Sequence, residues 1–294
     1  MPASWTVLGS GSGGNASLLE LDGAGLLVDI GLGPRQLASR LRAVGFGWES
    51  IRGVVLTHTH SDHWNPRSLA KLAELRIPFY CHAEHLRPLN LSSREFQTLQ
   101  FGRLVKTYAA GMAFTPLSKT LCRAMPLAHD GGATFGFRIE SDQNSLGQSW
   151  SVGYVADLGS WEPSLPRALA DVDVLAVEFN HDVEMQRSSG RDAWLIRRVL
   201  GDFGHLSNDQ GARLLAECAQ HSAPGRLRHV IQLHLSRDCN RPQLAVAAAR
   251  EVIARHRLDV ALHTACQDLP GPRICLEADS DIGNGRPANA RAAS

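Results

Sequence analysis

Three histidines and an aspartate crowd into one short stretch, Thr57-His58-Thr59-His60-Ser61-Asp62-His63, and nothing else constrains this chain as tightly. The residues before it, Ile51 to Leu56, are mostly β-branched and apolar, the pattern of a buried strand. The donors therefore fall in the loop at that strand's C-terminal end, where open α/β sheets bind ligands. Alternate residues of an extended segment share a face, so His58 and His60 can grip one ion together. Asp62 and His63, just past the bend, point elsewhere and can serve a second. Imidazole nitrogens and carboxylate oxygens suit a borderline divalent ion, Zn²⁺ or Mn²⁺.

The HxHxDH motif is that of the metallo-β-lactamase superfamily, which this chain resembles. Within it the chain resembles the YycJ-like (WalJ-like) metallohydrolases, proposed DNA exonucleases. Asn180-His181-Asp182 followed by Val183-Glu184-Met185, and Gly204-His205-Leu206-Ser207-Asn208, match that branch. So do the glycine-rich start Gly9 to Asn15 and the stretch Ser236 to Asn240, with Cys239 in place of the first Asn. Trp64-Asn65-Pro66-Arg67 departs from the expected continuation of the metal motif, and Ser188 to Asp192 stands where the branch often has prolines. The resemblance spans roughly Ser4 to Thr264.

It implies a four-layer αββα sandwich with metals at one edge. It also implies a ligand set of His58, His60, Asp62, His63, His129, Asp157 and His234. His129 would complete the site of His58 and His60. His234 would complete that of Asp62 and His63, and Asp157 would bridge the two. Asp29, at a strand end, would hydrogen-bond and orient the histidine loop. Ser12, Asn15 and Asn180 are candidate substrate contacts, and His181 and His205, with Asp62, candidate catalytic residues.

Around these motifs the chain reads as short strands and amphipathic helices. Strands are expected at Ser4–Leu8, Ser17–Leu21, Leu26–Ile30, Phe79–Cys81, Phe101–Tyr108, Phe114–Leu121, Thr134–Ile139, Trp150–Ala156, Asp173–Phe179, His229–Leu233 and Asp259–Leu262. Helices are expected from Pro34 to about Val44, from Pro66 to Leu75, from Asp209 to Gln220 capped by Ser207 or Asn208, and from Pro242 to about His256. The last of these should bury Leu244, Ala248 and Val252. His82 and His85 read as solvated surface histidines. Arg197-Arg198 lies on a helix and either guides a polyanion or forms an ordinary wet face.

At 294 residues, residues 1–268 can form one hydrolase domain with a large core. The polar, Gly-, Pro- and Asn-containing tail 269–294 is expected to lack order. Net charge is +1, so no global field draws in a polyanion and any basic path must be local. The six cysteines form no CxxC pair and read as reduced, mostly buried thiols. No apolar run approaches the ~20 residues of a membrane span, and no secretory n- and h-region opens the chain. The expectation is a cytoplasmic enzyme: a two-metal hydrolase that cleaves DNA phosphodiesters. Two ions about 3.5–4 Å apart can clamp both oxygens of an in-line displacement. A small cyclic phosphodiester, lactone or thioester is the alternative substrate, and a metal-bound scaffold the non-enzymatic one. No appended nucleic-acid clamp fits between the motifs, and oligomeric state is left open.

Overall fold

The structure, a computed structural model, describes residues 3–142 and 149–276. The apolar runs pair into two seven-stranded sheets. The strands of the first are β1 (Ser4–Gly9), β2 (Ala16–Leu21), β3 (Ala24–Val28), β4 (Ile51–Val55), β5 (Phe79–His82), β6 (Val105–Tyr108) and β14 (Ile274–Cys275), in the order β14-β1-β2-β3-β4-β5-β6. Those of the second are β7 (Ala113–Phe114), β8 (Thr120–Leu127), β9 (Thr134–Ser141), β10 (Ser151–Val155), β11 (Val174–Glu178), β12 (His229–Leu233) and β13 (Ala261–Thr264), in the order β13-β12-β11-β10-β9-β8-β7. The two share one plan. Antiparallel pairs on one side give way to a parallel run, β3-β4-β5-β6 in the first and β10-β11-β12-β13 in the second.

The sheets pack face to face. Trp5, Leu19, Leu26, Val28 and Val55 of the first meet Phe135, Phe137, Val152, Tyr154, Ala176 and Leu233 of the second in one apolar layer. Helices cover the outer faces. On the first sheet, α1 (Pro34–Ala43), α2 (Pro66–Leu75) and α4 (Arg94–Phe101) bury Leu37, Leu41, Leu69, Leu72, Phe96 and Leu99. On the second, α5 (Ser164–Ala168), α8 (Asn208–His221) and α9 (Pro242–Arg255) bury Leu165, Leu214, Leu215, Ala245 and Val252. Three further helices, α3 (Leu86–Ser92), α6 (Val183–Arg187) and α7 (Ala193–Leu200), link these pieces. The architecture is the expected αββα sandwich. Pro at the first turn opens α1, α2 and α9 where the sequence places it. Ser207, with Gln210, forms a reciprocal cap on α8.

Several expectations are corrected. The chain past Pro270 is ordered as far as Leu276: β14 pairs with β1, Ile274 and Leu276 are buried, and Leu276 N donates to Ala3 O. A two-residue strand is too short to leave a periodic signature. The remaining expectation of a disordered tail lies outside the described residues. The Phe101–Tyr108 strand begins only at Val105, because Phe101 closes α4 and stands exposed. The Phe114–Leu121 strand is two strands, broken between Phe114 and Thr120, with Lys119 at φ 63°. Met125-Pro126-Leu127, outside every expected strand, continues β8. β7 pairs only with Cys122 and Arg123, so the outer side of Pro126 owes no ladder donor. α9 buries Val252 as expected, but Ala245 and Ala249 take the places expected of Leu244 and Ala248, and Leu244 is exposed. His85 is not a surface residue. It is buried, accepts from His82 N through Nδ1 and reaches Ala133 O from Nε2 at 2.7 Å.

Candidate metal centre

The C-terminal ends of the parallel strands of both sheets meet at one edge, and the polar residues gather there. Asp29 follows β3, the histidine loop follows β4, Asp157 follows β10, Glu178 ends β11 and His234 follows β12. Asp29, Asp157 and His234 all have left-handed backbones, with φ 63°, 61° and 54°. Non-glycine residues rarely adopt that conformation, and it concentrates where a fold holds strain at a site. Here it turns each side chain off the end of its strand into the space between the sheets.

The histidine loop is clamped from several sides. Asp29 Oδ1 accepts from Thr57 N at 2.8 Å, and Asp29 Oδ2 lies 2.7 Å from His63 Nδ1. Trp64 Nε1 donates to Thr59 O, Asn15 N to Asp62 O, and Ile30 N to His63 O. Gly31 passes so close to this loop that a Cβ there would stand 1.8 Å from Asp62 O. Gly131 likewise leaves room for the rings: an added Cβ would meet His58 Cδ2 at 2.5 Å.

Within the cluster, donor atoms of His58, His60 and His129 converge within 4.8 Å of one another. Those of Asp62, His63 and His234 do the same, and Asp157 joins both a group with His58 and His63 and a group with Glu178, His205 and His234. His129 Nδ1 faces Gly204 O at 2.8 Å, which fixes a proton on Nδ1 and turns Nε2 toward His60 Nδ1, 3.2 Å away. His58 Nε2 and Asp157 Oδ2 are buried without a hydrogen-bond partner among the described residues. Asp157 Oδ2 does lie 3.0 Å from His63 Nε2, but outside hydrogen-bond geometry. Buried acceptors left so are expensive, and a divalent cation is the partner these nitrogen and oxygen donors fit.

The electrostatics match. Burial opposes charge on His63, but the Asp29, Asp157 and Asp62 carboxylates override it and raise its pKa well above the usual value. Burial likewise opposes charge on His234, which Asp157, Asp62 and Glu178 raise. Burial works to raise Asp62 and Asp157, yet the neighbouring imidazoles, His63 and His234 foremost, hold both carboxyls far down. His58 and His60 are lowered, mainly by burial and then by their histidine neighbours. The edge thus carries buried carboxylates that demand positive charge, and open imidazole lone pairs.

The structure relocates several candidates. Asn15 is fully buried; its amide lies 3.2 Å from Asp62 Oδ2 and 3.1 Å from His63 Nε2, so it braces the loop instead of facing a substrate. Asn180 is buried too, donates to His234 O at 2.8 Å and touches His234 Nδ1. His181 has no exposed surface and no hydrogen-bond partner for either ring nitrogen among the described residues, and burial lowers its pKa to about 4. A ring so enclosed cannot touch a substrate. Ser12 remains exposed at the tip of the glycine-rich turn. His205 lies between His129 and His234, with ring centroids 5.0 and 5.2 Å away, and keeps a partly exposed ring.

Two residues escaped the sequence reading. Glu178 Oε1 lies 2.8 Å from His205 Nδ1; it is a buried acid at the end of the apolar run Val174–Glu178, the same signature that marks Asp29 and Asp157. Asp130 lies 3.8 Å from His60 Nε2 and 3.5 Å from His129 Nε2, and binds Arg198 through both oxygens. No local pattern pairs Asp130 with a helix so far along the chain.

The Beta-lactamase superfamily domain matches residues 25–226, which hold six of the seven expected ligands. The chain belongs to the beta-lactamase superfamily. Exodeoxyribonuclease WalJ of Streptococcus pneumoniae is 28% identical to it over 266 residues, 88% of this chain and 91% of that one. Exodeoxyribonuclease YycJ of Bacillus anthracis is 26% identical over 251 residues, 85% and 88% of the two chains. Among solved structures, the metallo-beta-lactamase fold protein YhfI from Bacillus subtilis superposes with a TM-score of 0.64 at 19% identity, over 92% of this chain and 99% of that one. The branch resemblance carried by Asn180-His181-Asp182 and Gly204–Asn208 stands with these matches. As a member of the beta-lactamase superfamily with an intact donor cluster, the chain is a metal-dependent hydrolase.

Proposed function

We propose that this superfamily member is a DNA phosphodiesterase that works from strand ends and holds two divalent ions, Zn²⁺ or Mn²⁺. The observation that carries the reading is the pair of adjoining donor sets, His58/His60/His129 and Asp62/His63/His234, with Asp157 next to both. The names of the WalJ and YycJ relatives support DNA as the substrate class. Ions bound there supply Lewis acidity toward a phosphoryl group and acidify a water.

The chain's own residues do the rest. Asp29 fixes the proton of His63 on Nδ1 and leaves Nε2 facing the site; Gly204 O does the same for His129. Glu178 holds a proton on His205 Nδ1 at 2.8 Å. Burial opposes charge on that ring, but the Glu178 carboxylate raises its pKa. A protonated His205 presents Nε2–H on the exposed side of the ring, where it can pass that proton to the leaving oxygen. Asp62, 3.3 Å from His234 Nε2, is held in place by the Asn15 amide and aligns the second donor set.

The test is a nuclease panel on purified protein loaded with Zn²⁺ or Mn²⁺, using linear and circular, single- and double-stranded DNA. Mononucleotide release from linear DNA, with circles intact, is expected, as is loss of turnover by at least about a thousandfold in His58→Ala. DNA left uncut while bis(p-nitrophenyl) phosphate turns over would reassign the enzyme to a small phosphodiester.

A further inference from the structure

We propose that Phe203, together with Trp194, forms a stacking strip for the unpaired bases of a single-stranded DNA end whose terminal phosphodiester enters the metal centre. This rests on the DNA phosphodiesterase reading above. Phe203 is 63% and Trp194 60% exposed, two of the three exposed aromatic side chains among the large hydrophobics of the described surface. A large exposed ring is informative when it is fixed beside a site, and Phe203 is fixed there.

Its turn, residues 201–204, is built into the metal centre. Gly204 O receives the His129 ring, Phe203 O accepts from Asp130 N at 3.0 Å, Ser160 Oγ donates to Asp202 O, and His205 N donates to Val199 O. Gly159 sits so close beneath that an added Cβ would meet Gly201 O at 2.4 Å and Gly204 N at 2.5 Å. The turn is therefore held on both flanks, yet its phenyl ring points into solvent. The backbone that anchors the ring is hydrogen-bonded to the residue next to His129. His60, with 34% of its side chain exposed, is the open side of the cluster and faces the same Asp130.

α7 continues the strip. Trp194 and Arg198 are four residues apart, so they share a helix face about 6 Å apart along the axis. Arg198 reaches forward to Asp130 at the mouth. Phe203 through its carbonyl and Arg198 through its guanidinium both meet Asp130, and Trp194 lies one helical turn from Arg198; aromatic rings with a guanidinium among them hold single strands without regard to sequence. The local charge favours bases over phosphates as the contact. Asp130 already neutralises Arg198, Arg191 is paired with Asp238, and the carboxylate of Asp202, next to Phe203 in the chain, is exposed. A base has a π-face for either ring, whereas a duplex end offers only its outermost pair.

Fluorescence anisotropy on metal-loaded protein tests this with a short phosphorothioate oligodeoxythymidylate and the same strand carrying a single abasic residue at its terminal position, the base that falls to Phe203. The parent protein should bind the abasic strand about tenfold more weakly, the scale of one base–aromatic stack. Phe203→Ala should bind the intact strand about tenfold more weakly and should no longer distinguish the two strands. Phe203→Trp should restore the discrimination, and thermal melting should show both variants folded. The proposal is overturned if Phe203→Ala binds the intact strand as tightly as the parent, or if the losses from ring and base removal simply multiply. Failure of the parent protein to bind either strand overturns the DNA reading itself, and this inference with it.

Discussion

Asp29 shows how much one side chain arranges. Its two oxygens hold Thr57 N, Thr57 Oγ1 and His63 Nδ1. Asp29→Asn keeps the shape but removes the charge and competes for the Nδ1 proton. Metal affinity should fall about 10- to 100-fold with the fold intact; a competitive chelator titration reads it, and unchanged affinity would remove Asp29 from the site. His85 carries a second expectation at this scale. Burial lowers its pKa to about 4 from an ordinary 6.5. The unfolded chain takes up a proton below pH 6.5 that the folded ring refuses until about pH 4, so stability falls as pH drops through that interval and levels off below it. At pH 5 the loss reaches up to about 2 kcal/mol. Urea midpoints at pH 7 and 5 should lie closer together in His85→Gln than in the parent. An equal spread would mean that His85 does not titrate on unfolding.

Strands and loops of different kinds were not equally legible in the sequence. Donors at strand ends, such as His58 and His60 after Val55 or His234 after Leu233, stand out because an apolar run stops and a polar residue follows it. Glu178 carries the same signal but sits inside the run's last position, so it reads as strand. Asn15 and Asn180 read as substrate contacts in the sequence because a polar residue near a motif has no sequence mark of burial. Only packing shows their amides committed to Asp62, His63 and His234. Phe203 is an ordinary apolar letter until the turn is seen to hold its ring outward. β14 was missed because two residues have no period, yet it is firmly docked: Ile274 is 4% exposed against the core between the sheets, and Arg228 Nη2 donates to Leu276 O. Ile274→Asp should therefore destabilise the protein by about 3–5 kcal/mol, since it places an unpaired carboxylate in that layer. A shift in melting temperature of less than a degree would return the segment to the status of a loose tail.

At the scale of the whole molecule, the donor cluster is a seam. His58, His60, Asp62 and His63 extend from the first sheet; His129, Asp157, Glu178 and His234 extend from the second, and His205 joins them from the loop before α8. Each donor group that includes His58 or His63 draws on both sheets. An ion held by such a group ties the sheets together at an edge where the apolar layer has ended and buried carboxylates would otherwise face one another across the gap. Binding to the folded state alone stabilises it by mass action, about 2.7 kcal/mol when free metal is a hundredfold above Kd. In a chain of 294 residues each kcal/mol moves the midpoint by roughly 2–4 °C. Removal of metal by a chelator at pH 7.5 should thus lower the melting temperature by about 5–10 °C, and readdition of Zn²⁺ or Mn²⁺ should restore it. The same chelation should have little effect on His129→Ala, which has already cut one of the ties between the sheets. Differential scanning fluorimetry with metal content measured on the same samples decides it. If the melting temperature of the parent stays put after the metal is shown to be gone, the sheets hold together without the ions, and the cluster binds metal for chemistry alone.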